Sequence, residues 1–142
     1  MSEKKYKKGY MMGVFDLFHV GHLNLIERAK ERCDELVVGV LSDDLVFEQK
    51  GSYPVIGLED RMRIIAALEA VDEAVAVTDG RLSKIEERKR IGFDCFFSGN
   101  DYEGNEMWEF EKKELEKEGA TIEFFPYTEE ISTTKIKEKI KG

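Results

Sequence analysis

Both histidines of the chain, His19 and His22, stand three apart in the run Gly13-Val14-Phe15-Asp16-Leu17-Phe18-His19-Val20-Gly21-His22. The run follows a short apolar stretch, and the amphipathic segment starting at Val20 puts the pair at a helix start. A helix N-terminus offers unpaired N–H groups and a positive dipole end, so it favours anions and disfavours imidazolium. Neutral imidazoles there can donate hydrogen bonds to a phosphate that brings its own charge, or they can simply cap the turn. Gly21 removes a side chain where a ligand would approach the backbone. Zinc is a poor fit, because neither cysteine is near and Asp16 alone adds a local carboxylate. The glycines do not spell a dinucleotide-binding pattern.

A second set lies in Glu130-Ile131-Ser132-Thr133-Thr134-Lys135-Ile136-Lys137. Ser132, Thr133 and Thr134 put three hydroxyls at a helix start, which is ordinary capping chemistry. Lys135 in the first turn opposes the helix dipole, and no capping-box glutamate follows. Hydroxyls, open N–H groups and a lysine together suit a phosphate, and a plain capped helix with a solvated lysine accounts for them equally. Arg61, behind Glu59 and Asp60, and Lys50, in the middle of the chain, are further cations that can meet a phosphate or face water.

The elements that must position these groups alternate. Residues 10–15, 36–41, 74–77, 95–97 and 121–125 read as strands, short and nearly continuous in apolar character, as in a parallel sheet covered on both faces. Helices are predicted over 20–33, 58–70, 82–91, 105–118 and 133–140. Residues 43–57 read as a loop or short helix, long enough to be an active-site feature. The fold expected is α/β, a Rossmann-like, doubly wound parallel sheet of five strands with helices on both faces. In such sheets ligands bind beyond the carboxyl ends of the strands where strand order reverses.

Composition bounds the rest. The chain has 142 residues, 42% hydrophobic and 37% charged, with a net charge of −8. That describes one domain over 1–142, with 1–8 as a polar N-terminal tail. The acidic balance argues against a nucleic-acid partner. No apolar run approaches the about 18 residues of a membrane span. The first residues lack a signal-peptide core, and Cys33 and Cys95 suit buried thiols in a reducing compartment, so a cytoplasmic protein is expected.

The His-x-Gly-His of residues 19–22 resembles the signature of the nucleotidyltransferase superfamily known by that motif. The continuation LNLIERAKERCDELVVGVLSDD resembles its cytidylyltransferase branch. Glu59-Asp60-Arg61 is similar to that branch's Glu-x-Arg element, and Ile131-Ser132-Thr133-Thr134 to its Ile-Ser-Thr-Thr/Ser motif. The resemblance runs from about Tyr10 to Ile140 and is strongest to the glycerol-3-phosphate cytidylyltransferases.

It implies direct transfer: an alcohol phosphate attacks the α-phosphorus of CTP in line, giving a CDP-alcohol and pyrophosphate. Such chemistry asks the protein for positioning and charge stabilisation. On this resemblance His19 and His22 donate to the triphosphate, and Lys50 and Arg61 neutralise the phosphates of donor and acceptor. Gly13, Val14 and Phe15 run beside the nucleotide, and Asp16 orients the acceptor or a lysine. Ser132, Thr133 and Thr134 hold the β- and γ-phosphates, with Tyr127, Thr128 and Ile131 counted among the nucleotide-binding residues. Gly99, Asn100 and Asp101 belong near the cytosine. Mg²⁺ held by the nucleotide, a homodimer and a role in cell-wall or surface polysaccharide assembly are implied as well.

Some positions depart from the family pattern. Asn100 and Tyr102 replace an aspartate and a tryptophan, and Tyr127 and Glu69 stand where glycerol-phosphate members carry arginines. The loop Lys50-Gly51-Ser52-Tyr53 is poorer in lysine. Acceptors such as phosphocholine, phosphoethanolamine or a polyol phosphate therefore stay open, as do an ATP-dependent adenylyltransferase and a non-catalytic nucleotide-binding domain.

Overall fold

The computed structural model describes residues 5–125. Five parallel strands form one sheet: β1 (Tyr6–Gly13), β2 (Cys33–Leu41), β3 (Glu73–Val77), β4 (Cys95–Gly99) and β5 (Thr121–Phe125), in the order β3-β2-β1-β4-β5. Five helices connect or follow them: α1 (Val20–Lys30), α2 (Asp43–Lys50), α3 (Leu58–Ala66), α4 (Lys84–Ile91) and α5 (Glu106–Lys117). A 3₁₀ turn, Asn100–Tyr102, follows β4. The α/β, Rossmann-like doubly wound expectation holds.

Two apolar layers explain the pattern. On one face Ile26 and Ala29 of α1 and Ile65 of α3 pack with Met11, Val38, Val40 and Phe97. On the other, Leu115 and Trp108 of α5 and Ile85 of α4 pack with Tyr10, Val37 and Phe96. Strands buried on both sides have no reason to alternate, so their sequences read as apolar runs. Gly9 shows how tight the first layer is. A Cβ there would overlap the Phe97 ring and lie 2.9 Å from Cys33 Sγ. Gly9→Ala is therefore expected to lower stability by about 1–3 kcal/mol in urea denaturation, the usual cost of overpacking.

Several boundaries differ from expectation. β1 begins at Tyr6, inside the stretch 1–8 expected to be a polar tail. Its lysine-rich start is bound by its edges: Lys8 N–H donates to Asp94 Oδ2 at 3.0 Å, and the Tyr6 hydroxyl bonds to Glu123. The first helix stops at Lys30 rather than at Cys33, because Cys33 opens β2 opposite Tyr6. The third helix ends at Ala66, and the chain then turns so that Asp72 N–H reaches Leu36 O at 2.9 Å and delivers β3. Within 43–57 the short helix is real: Ser42 Oγ caps it, and Gly51 ends it at φ 78°, a left-handed conformation that glycine adopts freely. Cys33 and Cys95 are both buried. The expected helix over 133–140 lies outside the described residues. No helix among the described residues is long and apolar enough to cross a membrane.

The reversal of strand order falls between β1 and β4. These strands pair only at Gly9↔Cys95 and Tyr10↔Phe96, although β1 continues to Gly13 and β4 to Gly99. Their carboxyl ends separate, which opens the crevice where α/β sheets bind ligands.

Candidate active site

A cleft of about 520 Å³ opens at that separation. Gly13, Val14, Phe15, Asp16, His22 and Lys50 line one half, and Glu87, Lys84, Ser98, Gly99, Tyr102 and Trp108 the other. The sequence reading thus identifies most of the first half and little of the second.

His19 and His22 build a capping box from two imidazoles. Gly21 N–H donates to His19 Nδ1 at 3.0 Å, and His19 N–H donates to His22 Nδ1 at 3.3 Å. The two readings of this pair, helix cap and phosphate donor, are therefore not rivals. A neutral ring that accepts at Nδ1 carries its proton on Nε2, so the cap itself fixes both rings as Nε2–H donors. The rings stack with centroids 4.0 Å apart, and Phe15 and Phe18 close around His22. His19 Nε2 is buried without a hydrogen-bond partner.

Charge follows from this packing. Burial holds His19 below its ordinary value. Burial, then the neighbouring His19 and Lys50, push His22 down from 6.5 to about 4, with Asp16 opposing. The unfolded rings thus take up protons in a range where the folded His22 does not. Its contribution to stability is complete above about pH 6.5 and is lost as pH falls toward 4. Denaturation midpoints are expected to fall over that window, with a slope approaching about 1.4 kcal/mol per pH unit from this group. His22→Gln should flatten it.

The loop entering α1 is strained, since Phe15 and Leu17 both have positive φ, at 55° and 50°. Such conformations persist only where the surroundings impose them. A Cβ on Gly13 would meet the Phe15 ring at 2.8 Å, so glycine allows that ring to fold back. Asp16 is buried, and its two oxygens accept from Val55 N–H at 2.8 Å and Ile56 N–H at 2.9 Å. It fastens the segment after α2 across the site.

Arg61 has no solvent exposure. Its Nε donates to Ile56 O at 2.7 Å, and Nη1 to both Val14 O and Leu41 O at 2.8 Å. Nη2 pairs with Asp43 Oδ1 at 2.6 Å. The guanidinium thus joins the ends of β1 and β2, the start of α2 and the loop before α3. That geometry makes Arg61 a positioning residue, in place of the phosphate ligand the resemblance implies. Lys50 remains exposed at the end of α2, beside the cleft and close enough to His22 to lower its pKa.

On the other side Gly99 ends β4, and Asn100 and Asp101 enter the 3₁₀ turn. Tyr102 stacks on Trp108, with centroids 4.5 Å apart and planes 6° from parallel. Lys84 Nζ sits 3.7 Å from the Trp108 centroid and pairs with Glu111 at 3.4 Å. Sequence reading missed Lys84, Glu87 and Asp43, because α4 is charged on every side and Asp43 reads as a first-turn acid. Glu69 and Ser52 are exposed. Tyr127, Thr128, Ile131, Ser132, Thr133 and Thr134 lie outside the described residues.

Comparison with known proteins agrees with this architecture. The profile of the family described as Cytidylyltransferase-like matches residues 10–139. The chain is 37% identical to glycerol-3-phosphate cytidylyltransferase of Bacillus subtilis, covering 96% of this chain and 98% of the relative. It is 38% identical to FAD synthase of Thermococcus kodakarensis, covering 99% and 96%. It is also 41% identical to bifunctional protein HldE of Koribacter versatilis over 89% of this chain, but spans only 26% of that longer relative. Among solved structures, the lipopolysaccharide core biosynthesis protein of Thermoplasma volcanium superposes with a TM-score of 0.70 at 25% identity, over 87% of this chain and 97% of that one. The extent of these matches and the imidazole pair at the strand-order reversal lead to one conclusion: the chain belongs to the cytidylyltransferase-like family of nucleotidyltransferases.

Proposed function

We propose that the protein transfers a cytidylyl group from CTP to a small alcohol phosphate, glycerol 3-phosphate first among them. The observation that carries this reading is the imidazole capping box, two rings that accept at Nδ1, with His22 lining the cleft and His19 stacked against it. An oxygen of the acceptor phosphate forms the new bond to the α-phosphorus while the bond from that phosphorus to the bridging oxygen breaks, and pyrophosphate leaves with the electron pair. Nothing covalent is asked of the protein. His19 and His22 donate to oxygens on which charge accumulates, without adding positive charge that water would screen. Lys50 offsets charge from the edge of the cleft. Arg61 and Asp16 hold the walls in register.

Among the described residues, no group of three His, Cys, Asp or Glu side chains would hold a metal ion. Mg²⁺ belongs to the same reading, carried by the nucleotide's phosphate oxygens and water, where it would neutralise the triphosphate. A homodimer is part of the same reading, supported by the exposed apolar group Phe47, Tyr53 and Val55, and sedimentation velocity tests it.

One alternative has specific support. Asn100 replaces an acceptor-only carboxylate near the expected base, and FAD synthase is a full-length relative, so ATP competes with CTP as donor. Pyrophosphate release measured for CTP, ATP, GTP and UTP against a panel of alcohol and sugar phosphates decides. Turnover confined to CTP with glycerol 3-phosphate supports the reading. Turnover only with ATP replaces it by adenylyl transfer.

A further inference from the structure

Lys50, at the edge of the cleft, stands on a turn that the core does not hold. α2 is eight residues long and buries only Leu45 and Val46, while Phe47, Glu48, Gln49 and Lys50 are all exposed. Its start is fastened by Ser42 Oγ, which accepts from Leu45 N–H, and by Arg61, which pairs with Asp43. A short helix whose last turn makes no buried contacts frays from that end. Lys50 is the final residue of that turn.

Two aromatic rings stand where the fraying would begin. Phe47, 45% exposed, and Tyr53, 59% exposed, stack with centroids 4.7 Å apart and planes 27° from parallel. Both lie outside the two core layers. The chain leaves α2 through Gly51, whose left-handed conformation turns it back toward Phe47. A Cβ on Gly51 would meet nothing within 4 Å, so this glycine supplies backbone freedom and not space. Pro54 disfavours helical backbone at Tyr53, which stiffens the return. Beyond it Asp16 anchors Val55 and Ile56 through their N–H groups. Residues 47–53 thus form a loop stacked at its base and fixed to the site wall, with Lys50, Gly51 and Ser52 at its tip. Lys50, Ser52 and Tyr53 line the cleft together with His22.

We propose that Phe47 and Tyr53 are positioning residues, a stacked clasp that holds the Lys50 ammonium over the phosphates at the transfer site. This rests on the transfer reading above, in which Lys50 meets the phosphates; the rings act through it. An ammonium on a four-carbon stem is a mobile point charge, and fixing its base reduces the freedom lost when phosphate binds. The clasp also accounts for two large rings facing water, because aromatic stacking is favourable beyond the area it buries.

The test is a double-mutant cycle in the full-length protein, read as kcat/KM with the preferred nucleotide and acceptor. Lys50→Ala should lower it about 10²-fold, as for the loss of one charge-stabilising group. Tyr53→Ala and Phe47→Ala should each lower it about tenfold or more, the cost of a misplaced group, and Tyr53→Phe should stay near wild type. In the Lys50→Ala background, Tyr53→Ala should cost less than about twofold, because its effect passes through the missing lysine. Effects that multiply in the double variant overturn the clasp, as does Lys50→Ala at the wild-type rate. A Tyr53→Phe variant as poor as Tyr53→Ala assigns the hydroxyl a contact of its own and overturns it too. A loss recovered by raising the protein concentration gives the rings to an interface between copies, with the same consequence. Urea denaturation reports that the variants fold, and Phe47→Ala closes the same cycle from the other ring if Tyr53→Ala does not. No pyrophosphate from any nucleotide and acceptor, with nucleotide still bound, brings down the transfer reading and this inference together.

Discussion

His19→Asn should lower kcat by about 10²–10³-fold while leaving the start of α1 intact, the loss typical of removing one donor from a charge-stabilising site. Asparagine is a good N-cap, so its side chain takes over the bond from Gly21 N–H. It cannot reproduce a donor at the position of Nε2. His19→Ala loses both functions and should cost about 1 kcal/mol of stability in addition. Affinity for CTP should change little in either variant, because a group acting on developing charge contributes in the transition state more than in the ground state. Single-turnover rates beside equilibrium nucleotide binding separate these effects. An unchanged rate in a folded asparagine variant sinks the assignment.

Arg61 gives the second large effect, of a different kind. Arg61→Ala removes the donors of Val14 O, Leu41 O and Ile56 O together and leaves Asp43 unpaired. A loss of about 3–5 kcal/mol in urea denaturation is expected, because three carbonyls lose their donors and a large buried side chain leaves a cavity, whereas Asp43, 43% exposed, is left to water. Arg61→Lys should recover little, because one ammonium cannot reach four acceptors spread around a planar fork. Nucleotide affinity of whatever fraction folds should fall as well, since Val14 is held in place by this side chain. If Arg61→Lys proves as stable as wild type and loses only substrate affinity, the side chain is a phosphate ligand after all.

The contrast between these residues shows where sequence reading works. The histidines were legible because their helix start is local: residue types, spacing and capping chemistry all lie within the stretch 13–22. The sheet was legible because continuous apolar runs reflect burial on two faces. Arg61 was not, since behind Glu59 and Asp60 it looks like a surface ion pair, while its partners come from three separate stretches, at Val14, Leu41–Asp43 and Ile56. Glu87 was hidden for the same reason. In Lys84-Ile85-Glu86-Glu87-Arg88-Lys89 no periodicity marks the one acid that turns inward, and only the packing of α4 over Tyr10 decides it. The lysines before Tyr10 misled in the opposite direction, because strand ends at the sheet rim can carry charges that contiguous hydropathy reads as tail.

Trp108 is the sole tryptophan in the chain. Its indole stands at the rim of the cleft, between a phenol ring and an ammonium whose distance sets its excited-state quenching. Emission excited at the red edge of the indole band, where the five tyrosines of the chain do not absorb, therefore originates in the Tyr102–Trp108 half of the cleft. Occupancy of that half of the site can be followed by emission intensity in the untagged molecule, without a label and independently of turnover.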